Sequence, residues 1–178
     1  MQTIILPGYS PKNQAWAEET QSALDSTTPA IVINYAHWET GTADPDWLDK
    51  ETRKLIDFVD SRQVNILAKS IGTAVAMGVL KQKPDLVNKV IFCGIPILDF
   101  KPGDETYYQP LKTFPSDKIL CIQNADDNHG GYTQAEKFLH SLNPNLKIIS
   151  KPRSDHEYPY IEDFIAFLES DPPKPSTD

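Results

Sequence analysis

The chain alternates short apolar, β-branched runs with longer stretches whose apolar positions recur every three or four residues. The runs predict six strands, at Thr3 to Leu6, Ala30 to Asn34, Val64 to Leu67, Lys89 to Cys93, Lys118 to Gln123 and Lys147 to Ser150. Strands that alternate with helices pair in parallel through right-handed crossovers. The pattern therefore predicts an α/β fold, a three-layer α/β/α sandwich with about six parallel strands.

The stretches between the strands predict two kinds of helix. Amphipathic surface helices are expected at Trp47 to Val59, Tyr132 to Leu142 and Ile161 to Leu168, with a weaker one at Asn13 to Leu24. The segment Thr73 to Leu80 is apolar on all sides, which is typical of a helix buried against the sheet.

Length and charge narrow the class of protein. A chain of 178 residues suits one domain, which we expect to span residues 1–170. Residues 171–178 are proline-rich and polar, and they predict a disordered tail. A net charge of -8 argues against binding to nucleic acid or to anionic lipid.

The apolar segments and cysteines indicate a cytoplasmic protein. The first strand is interrupted by Pro7-Gly8 and lacks a basic flank, so it does not resemble a secretory signal. The apolar run from Ile71 to Leu80 is far shorter than the roughly 20 residues that cross a bilayer. Cys93 and Cys121 lie in apolar runs without metal-binding or redox spacing, and are expected to be reduced core thiols.

The segment Ala68-Lys69-Ser70-Ile71-Gly72 marks a tight turn from strand to helix and a candidate nucleophile. Such a turn holds its apex residue in an unfavourable backbone region, and only small residues fit two positions to either side. Ala68 and Gly72 satisfy that requirement. The alternative is that Ser70 merely caps the following helix.

A serine nucleophile needs a histidine base, and the base needs an acid to orient it. Of the four histidines, His156 is the one that follows the last predicted strand and precedes the final helix, so it is the favoured base. His140 falls on the surface of a helix. His37 and His129 lie on strand-end loops and are candidate substrate-side groups.

The loop after the fifth strand supplies the candidate acids. It contains Asp126 and Asp127, and Asp99 after the preceding strand is a third candidate. The loop aspartates alternatively stabilise the turn alone. Together with His129 they also suggest a metal site, but no second ligand cluster complements them, and we expect neither a metal nor a cofactor.

These motifs resemble the α/β-hydrolase superfamily in its small form with a minimal cap. The resemblance rests on Leu6-Pro7-Gly8-Tyr9, on the turn around Ser70, on Gln123-Asn124-Ala125-Asp126-Asp127 and on Ser154-Asp155-His156, in that superfamily's order. The layout also resembles compact serine hydrolases of the retinoblastoma-binding-protein-9 type. Many members have histidine at the position of Pro7 and glycine at that of Ala68, and neither departure removes a catalytic group.

The resemblance assigns roles to particular residues. It implies that Ser70 is the nucleophile, that His156 is the base, and that Asp127, four residues after the strand-end glutamine, is the acid. It further implies an oxyanion hole formed by the backbone N–H groups of Tyr9 and Ile71.

Aromatic residues near these loops are candidates for a substrate pocket. The segment from Gly94 to Asp117 is short enough to form a flap at most, and it carries Tyr107 and Tyr108. Together with His37, Trp38 and His129, these two tyrosines form the predicted pocket set. The alternative is that they pack on the edge of the sheet.

The sequence thus predicts a serine hydrolase, most like a carboxylesterase, that cleaves a small ester, thioester or amide through an acyl-enzyme on Ser70. Its expected partner is a small acyl substrate. One alternative is a catalytically silent hydrolase-like module that binds a ligand or a protein. A doubly wound nucleotide or flavin binder is disfavoured, because no phosphate-binding glycine motif follows any strand.

Overall fold

A computed structural model describes residues 1–170, which contain one parallel sheet of six strands. The strands are β1 (Thr3–Leu6), β2 (Ala30–Val32), β3 (Val64–Lys69), β4 (Val87–Cys93), β5 (Ile119–Asn124) and β6 (Lys147–Lys151). Their spatial order is β2-β1-β3-β4-β5-β6. The predicted α/β sandwich with six parallel strands is confirmed. The tail expected at 171–178 lies outside the described residues.

Helices cover both faces of the sheet. They are α1 (Gln14–Leu24), α2 (His37–Thr40), α3 (Trp47–Val59), α4 (Gly72–Gln82), α5 (Tyr132–Leu142) and α6 (Ile161–Glu169). Only α2 lacks a counterpart in the sequence prediction, because four residues are too few to show a helical period. None of the helices within residues 1–170 has the length and apolarity needed to cross a bilayer.

Two apolar layers hold the helices to the sheet. One layer packs α3, α4 and α5 against residues such as Ile66, Val90 and Phe92, and the other packs α1 and α6 against Leu67 and Ile91. Alternate residues of each strand point to opposite faces, so every strand supplies both layers. The central helix α4 is buried along most of its length, which explains why its sequence is apolar on all sides.

The order of the strands reverses between β1 and β3. The chain steps outward from β1 to β2, and then crosses back to place β3 on the other side of β1. Leu6 pairs with Ala68, so the loops after both strands leave the sheet at the same level. In open parallel sheets, ligands bind outside the carboxyl ends of the strands at such a reversal.

The segment between β4 and β5 forms a thin flap. It folds into 3₁₀ turns at Ile97–Asp99, Asp104–Lys112 and Ser116–Lys118. Tyr108 and Leu111 from the longest turn are buried, and the Tyr108 hydroxyl lies 2.6 Å from Thr73 Oγ1 on α4. The flap is therefore fixed to the helix behind Ser70, and it is the minimal cap that the sequence predicts.

Both cysteines are buried and free. Burial raises the pKa of the Cys93 thiol well above its ordinary value, and it raises the pKa of the Cys121 thiol to about 12. A thiol needs to ionise before it can attack. Neither cysteine is therefore an activated nucleophile.

Candidate active site

Ser70 occupies a strained turn between β3 and α4. Its φ is +56°, a left-handed value, and Asp60 is the one other non-glycine residue in the described part of the chain with a positive φ. The Ser70 N–H donates to the Cys93 carbonyl at 2.9 Å, and the Ser70 carbonyl accepts from Thr73 Oγ1 at 2.6 Å. Hydrogen bonds on both sides thus hold the strained residue in place.

Ser70 does not cap the following helix. The capping position of α4 is Ile71, and no side chain donates or accepts a capping hydrogen bond there. Across residues 1–170 the Ser70 hydroxyl makes no hydrogen bond that would occupy it. The hydroxyl is therefore free to meet a substrate.

Gly72 allows β1 to pass close to the turn. A Cβ atom at this position would lie 2.4 Å from the Leu6 carbonyl oxygen and 2.7 Å from that of Pro7. Ala68 is fully buried in β3, where it pairs with Leu6, and its methyl group belongs to the core. The turn thus requires glycine after the serine but accepts alanine before it.

His156 and Asp127 form a hydrogen-bonded pair at the ends of neighbouring strands. His156 Nδ1 lies 2.7 Å from Asp127 Oδ2 and 3.0 Å from Oδ1. Because a carboxylate accepts, Nδ1 carries a proton, and in the neutral imidazole the lone pair is on Nε2. His156 Nε2 is buried and has no hydrogen-bond partner in the described structure, and His156 and Ser70 line one cleft.

The Asp127 carboxylate receives three donors. Besides His156, the Tyr158 hydroxyl donates to Oδ2 at 2.5 Å, and the His129 N–H donates to Oδ1 at 2.8 Å. Burial disfavours the charged carboxylate, but these hydrogen bonds outweigh it and hold the pKa of Asp127 below its usual range. Asp127 is therefore ionised at neutral pH.

The other two candidate acids have different partners. Asp126 donates its backbone N–H to the Arg153 carbonyl at 3.1 Å, and its side chain makes no hydrogen bond with His156. Asp99 contacts His129 instead. Within residues 1–170, Asp127 is the carboxylate that orients His156.

Tyr158 belongs to the site, although no motif in the sequence marks it. The side chain is fully buried, its hydroxyl accepts from the Asn124 N–H at 3.1 Å, and burial raises its pKa, so it stays a proton donor. Gly94, with φ +60°, leaves room for it, since a Cβ there would lie 2.5 Å from the tyrosine ring. The sequence feature that could have indicated this role is the position of the tyrosine, two residues after His156.

Replacing Tyr158 with phenylalanine is expected to lower kcat/KM about fivefold, because the orienting carboxylate loses one donor.

The pKa of Asp127 is lowered in the folded state, so the stability it contributes is present above the unfolded pKa and is lost as pH falls through the folded pKa. Denaturant unfolding at pH 7 and near pH 3 should therefore show a wild-type advantage that shrinks in acid.

Tyr160→Phe is the matched control for that experiment. The Tyr160 hydroxyl donates to Asn124 Oδ1 at 2.5 Å and makes no hydrogen bond to Asp127. An equal loss of turnover in both variants would contradict a specific role for the Tyr158 hydroxyl.

Two residues of the cleft have backbone N–H groups without partners in the described structure. The N–H groups of Tyr9 and Ile71 donate to no acceptor among residues 1–170, and both residues line the cleft with Ser70. The Tyr9 carbonyl accepts from His37 Nε2 and from Trp38 Nε1, each at 2.7 Å. These two hydrogen bonds fix the loop that carries the Tyr9 N–H.

The predicted pocket residues divide into two groups. His129 lines the Ser70 cleft, of about 300 Å³, and Tyr107 and Tyr108 line an adjoining apolar pocket of about 260 Å³. His37 and Trp38 line neither, because their ring nitrogens are directed to the Tyr9 carbonyl. The two cavities are adjacent and share four lining residues: Tyr9, Ile71, Pro96 and Asp99.

Lys69 links the serine strand to the histidine loop. Its side chain is 1% exposed, its Nζ lies 3.0 Å from Glu157 Oε2, and the ammonium stands 5.2 Å from the centre of the Trp16 ring. A buried lysine requires such partners. The pair connects the residues next to Ser70 and His156.

No group of three or more histidine, cysteine, aspartate and glutamate side chains within residues 1–170 is arranged to hold a metal ion.

Solved structures with a similar fold include several hydrolases. A serine hydrolase involved in carbazole degradation superposes with a TM-score of 0.73 at 17% identity, over 94% of this chain and 90% of that one. A lidless α/β serine hydrolase from Xanthomonas campestris gives 0.67 at 16%, over 94% and 78%. A methylesterase from Arabidopsis gives 0.64 at 11%, over 94% and 97%.

No protein-family model matches the sequence, and no curated protein does. At these identities the structural likeness establishes the α/β-hydrolase fold, in a form without a substantial lid.

Proposed function

We propose that the chain is a serine hydrolase that cleaves small carboxylic esters through an acyl-enzyme on Ser70. One observation carries the proposal: a strained, unbonded serine shares a cleft with an unpartnered histidine nitrogen, whose opposite nitrogen is hydrogen-bonded to a buried carboxylate. That combination is the requirement for activating a serine hydroxyl.

Each proposed step follows from one of these contacts. Ser70 Oγ attacks the carbonyl carbon while His156 Nε2 takes its proton, and the Asp127 carboxylate stabilises the imidazolium that forms. The N–H groups of Tyr9 and Ile71 donate to the oxygen that becomes negative. His156 then gives its proton to the departing alcohol, and water, activated by the same nitrogen, releases the acid.

The lining and the volume of the adjoining pocket favour a small acyl group as the part of the substrate that it holds. Its apolar wall includes Trp47, Leu48, Phe100 and Tyr107, and its volume is about 260 Å³. The described flap consists of 3₁₀ turns and adds no α-helix over the cleft. A methylesterase among the structures of similar fold favours esters, while thioesters and amides would follow the same steps.

Three finer predictions accompany the proposal: a cytoplasmic location, a small-molecule acyl substrate as the partner, and kinship with the retinoblastoma-binding-protein-9 type. The structures compared above do not include that type, so the kinship stays a prediction.

A fluorophosphonate probe tests the proposed nucleophile. We expect one covalent adduct, mapped by mass spectrometry to Ser70, and its loss in Ser70→Ala. Ser10→Ala is the matched control, because Ser10 lines the same cleft yet should leave labelling unchanged. Labelling that persists without Ser70 would rule out the assignment, and a wild-type protein that neither labels nor turns over p-nitrophenyl acetate would favour the silent binding module.

A further inference from the structure

A second histidine–carboxylate pair stands beside the proposed base, and the hydrolytic steps do not use it. His129 Nδ1 lies 2.6 Å from Asp99 Oδ2. The His129 ring is tilted against the His156 ring, with 4.4 Å between their centres. Both rings and Asp99 line the cleft of Ser70.

His129 is held as a fixed group, although 39% of its side chain is exposed. Its N–H donates to Asp127 Oδ1 at 2.8 Å, and its carbonyl accepts from the Leu98 N–H at 3.0 Å. Because the Asp99 carboxylate accepts from Nδ1, the polar atom left for a ligand is Nε2. The backbone of His129 is thus held at its N–H and its carbonyl, and its ring is held by Asp99.

The position of His129 indicates which part of a substrate it meets. It lines the Ser70 cleft but not the adjoining pocket that suits the acyl group. A base that protonates the departing alcohol has to lie next to that alcohol. The His129 ring, which packs against His156, is therefore on the leaving-group side.

Resting on the proposed serine chemistry, we propose that His129, oriented by Asp99, selects esters whose alcohol carries a second hydroxyl close to the scissile oxygen. A hydroxyl donates to a neutral Nε2 and accepts from a protonated one, so it suits either form of the imidazole. The substrate class is then short-chain acyl esters of diols and polyols.

Paired esters of one acid test this selectivity. For wild type, kcat/KM should be about fivefold higher for the 2-hydroxyethyl ester than for the ethyl ester, as one hydrogen bond would give. His129→Phe keeps a ring against His156 and should bring the ratio close to one. Asp99→Asn should lower it part of the way, and it serves as the second variant if the first fails to fold.

His140→Phe is the control, because His140 lies on α5 and contacts the Leu146 carbonyl, away from the cleft. It should keep the wild-type ratio. The proposal is overturned if wild type does not distinguish the two esters, or if His129→Phe distinguishes them as well as wild type does. Fluorophosphonate labelling distinguishes the two proposals. If the wild-type protein is labelled but hydrolyses both esters at equal rates, the selectivity alone is refuted. If the wild-type protein is not labelled, the proposed serine chemistry is refuted as well.

Discussion

Asp127→Asn is expected to lower kcat/KM for p-nitrophenyl acetate by about 10³ to 10⁴-fold without unfolding the protein. The carboxylate accepts from His156, Tyr158 and the His129 N–H, whereas an asparagine offers one acceptor oxygen. If its NH₂ group faces His156, Nδ1 has to accept, and the imidazole proton moves to Nε2. That nitrogen then cannot take the proton of Ser70.

Asp126→Asn supplies the matched control, since it changes the adjacent residue in the same loop and leaves the contacts of His156 intact. Its kcat/KM should stay within about twofold of wild type. Steady-state kinetics give kcat/KM for both variants, and circular dichroism verifies that each variant is folded. A large loss in Asp126→Asn together with a small one in Asp127→Asn would reverse the assignment of the acid.

Gly72→Ala should reduce the free energy of unfolding by about 3 kcal/mol, because the added methyl group meets backbone and cannot be relieved by a rotamer change. The contacts are the Leu6 oxygen at 2.4 Å and the Pro7 oxygen at 2.7 Å. Relief requires β1 to move away from the turn, which also shifts the Tyr9 N–H relative to Ser70. We therefore expect at least a tenfold loss of kcat/KM under conditions where the variant remains folded.

Gly103→Ala separates crowding from backbone strain. Gly103 has φ +101° and nothing within 4 Å of its Cβ position, so the variant bears only the strain of an unfavourable backbone region, about 1 kcal/mol. Urea unfolding of both variants gives the comparison. Equal destabilisation would mean that the approach of β1 to the turn is not tight.

The elements with a complete local pattern could be predicted from the sequence. β1 and α5 have the expected bounds, Thr3–Leu6 and Tyr132–Leu142, because β1 is a short apolar run and the apolar positions of α5 recur every three or four residues. β3 continues two residues past the predicted end at Leu67. A lysine there indicates the end of a strand, but Lys69 is buried against Glu157 and Trp16, a contact made by distant segments.

The candidate site likewise contains residues that the local sequence predicts and residues whose contacts depend on distant segments. Ser70, Asp127 and His156 could be proposed because each follows a predicted strand, and parallel strands end at one edge of a sheet. Tyr158 and the Asp99–His129 pair were not recognised as partners, since their contacts depend on loop conformation. His37 was expected beside the substrate. Its Nε2 is instead hydrogen-bonded to the Tyr9 carbonyl, and the residue lines neither the Ser70 cleft nor the adjoining pocket.

The pairing of Leu6 with Ala68 has a consequence for folding experiments. Tyr9 and Ser70 follow these two residues at fixed intervals, so their relative position depends on how β1 and β3 align. A shift of one residue would move one loop about 3.3 Å along the other and turn the side chains of β1 to the opposite face. Recovery of the proposed esterase activity would therefore measure correct strand alignment after refolding, which far-ultraviolet circular dichroism does not distinguish.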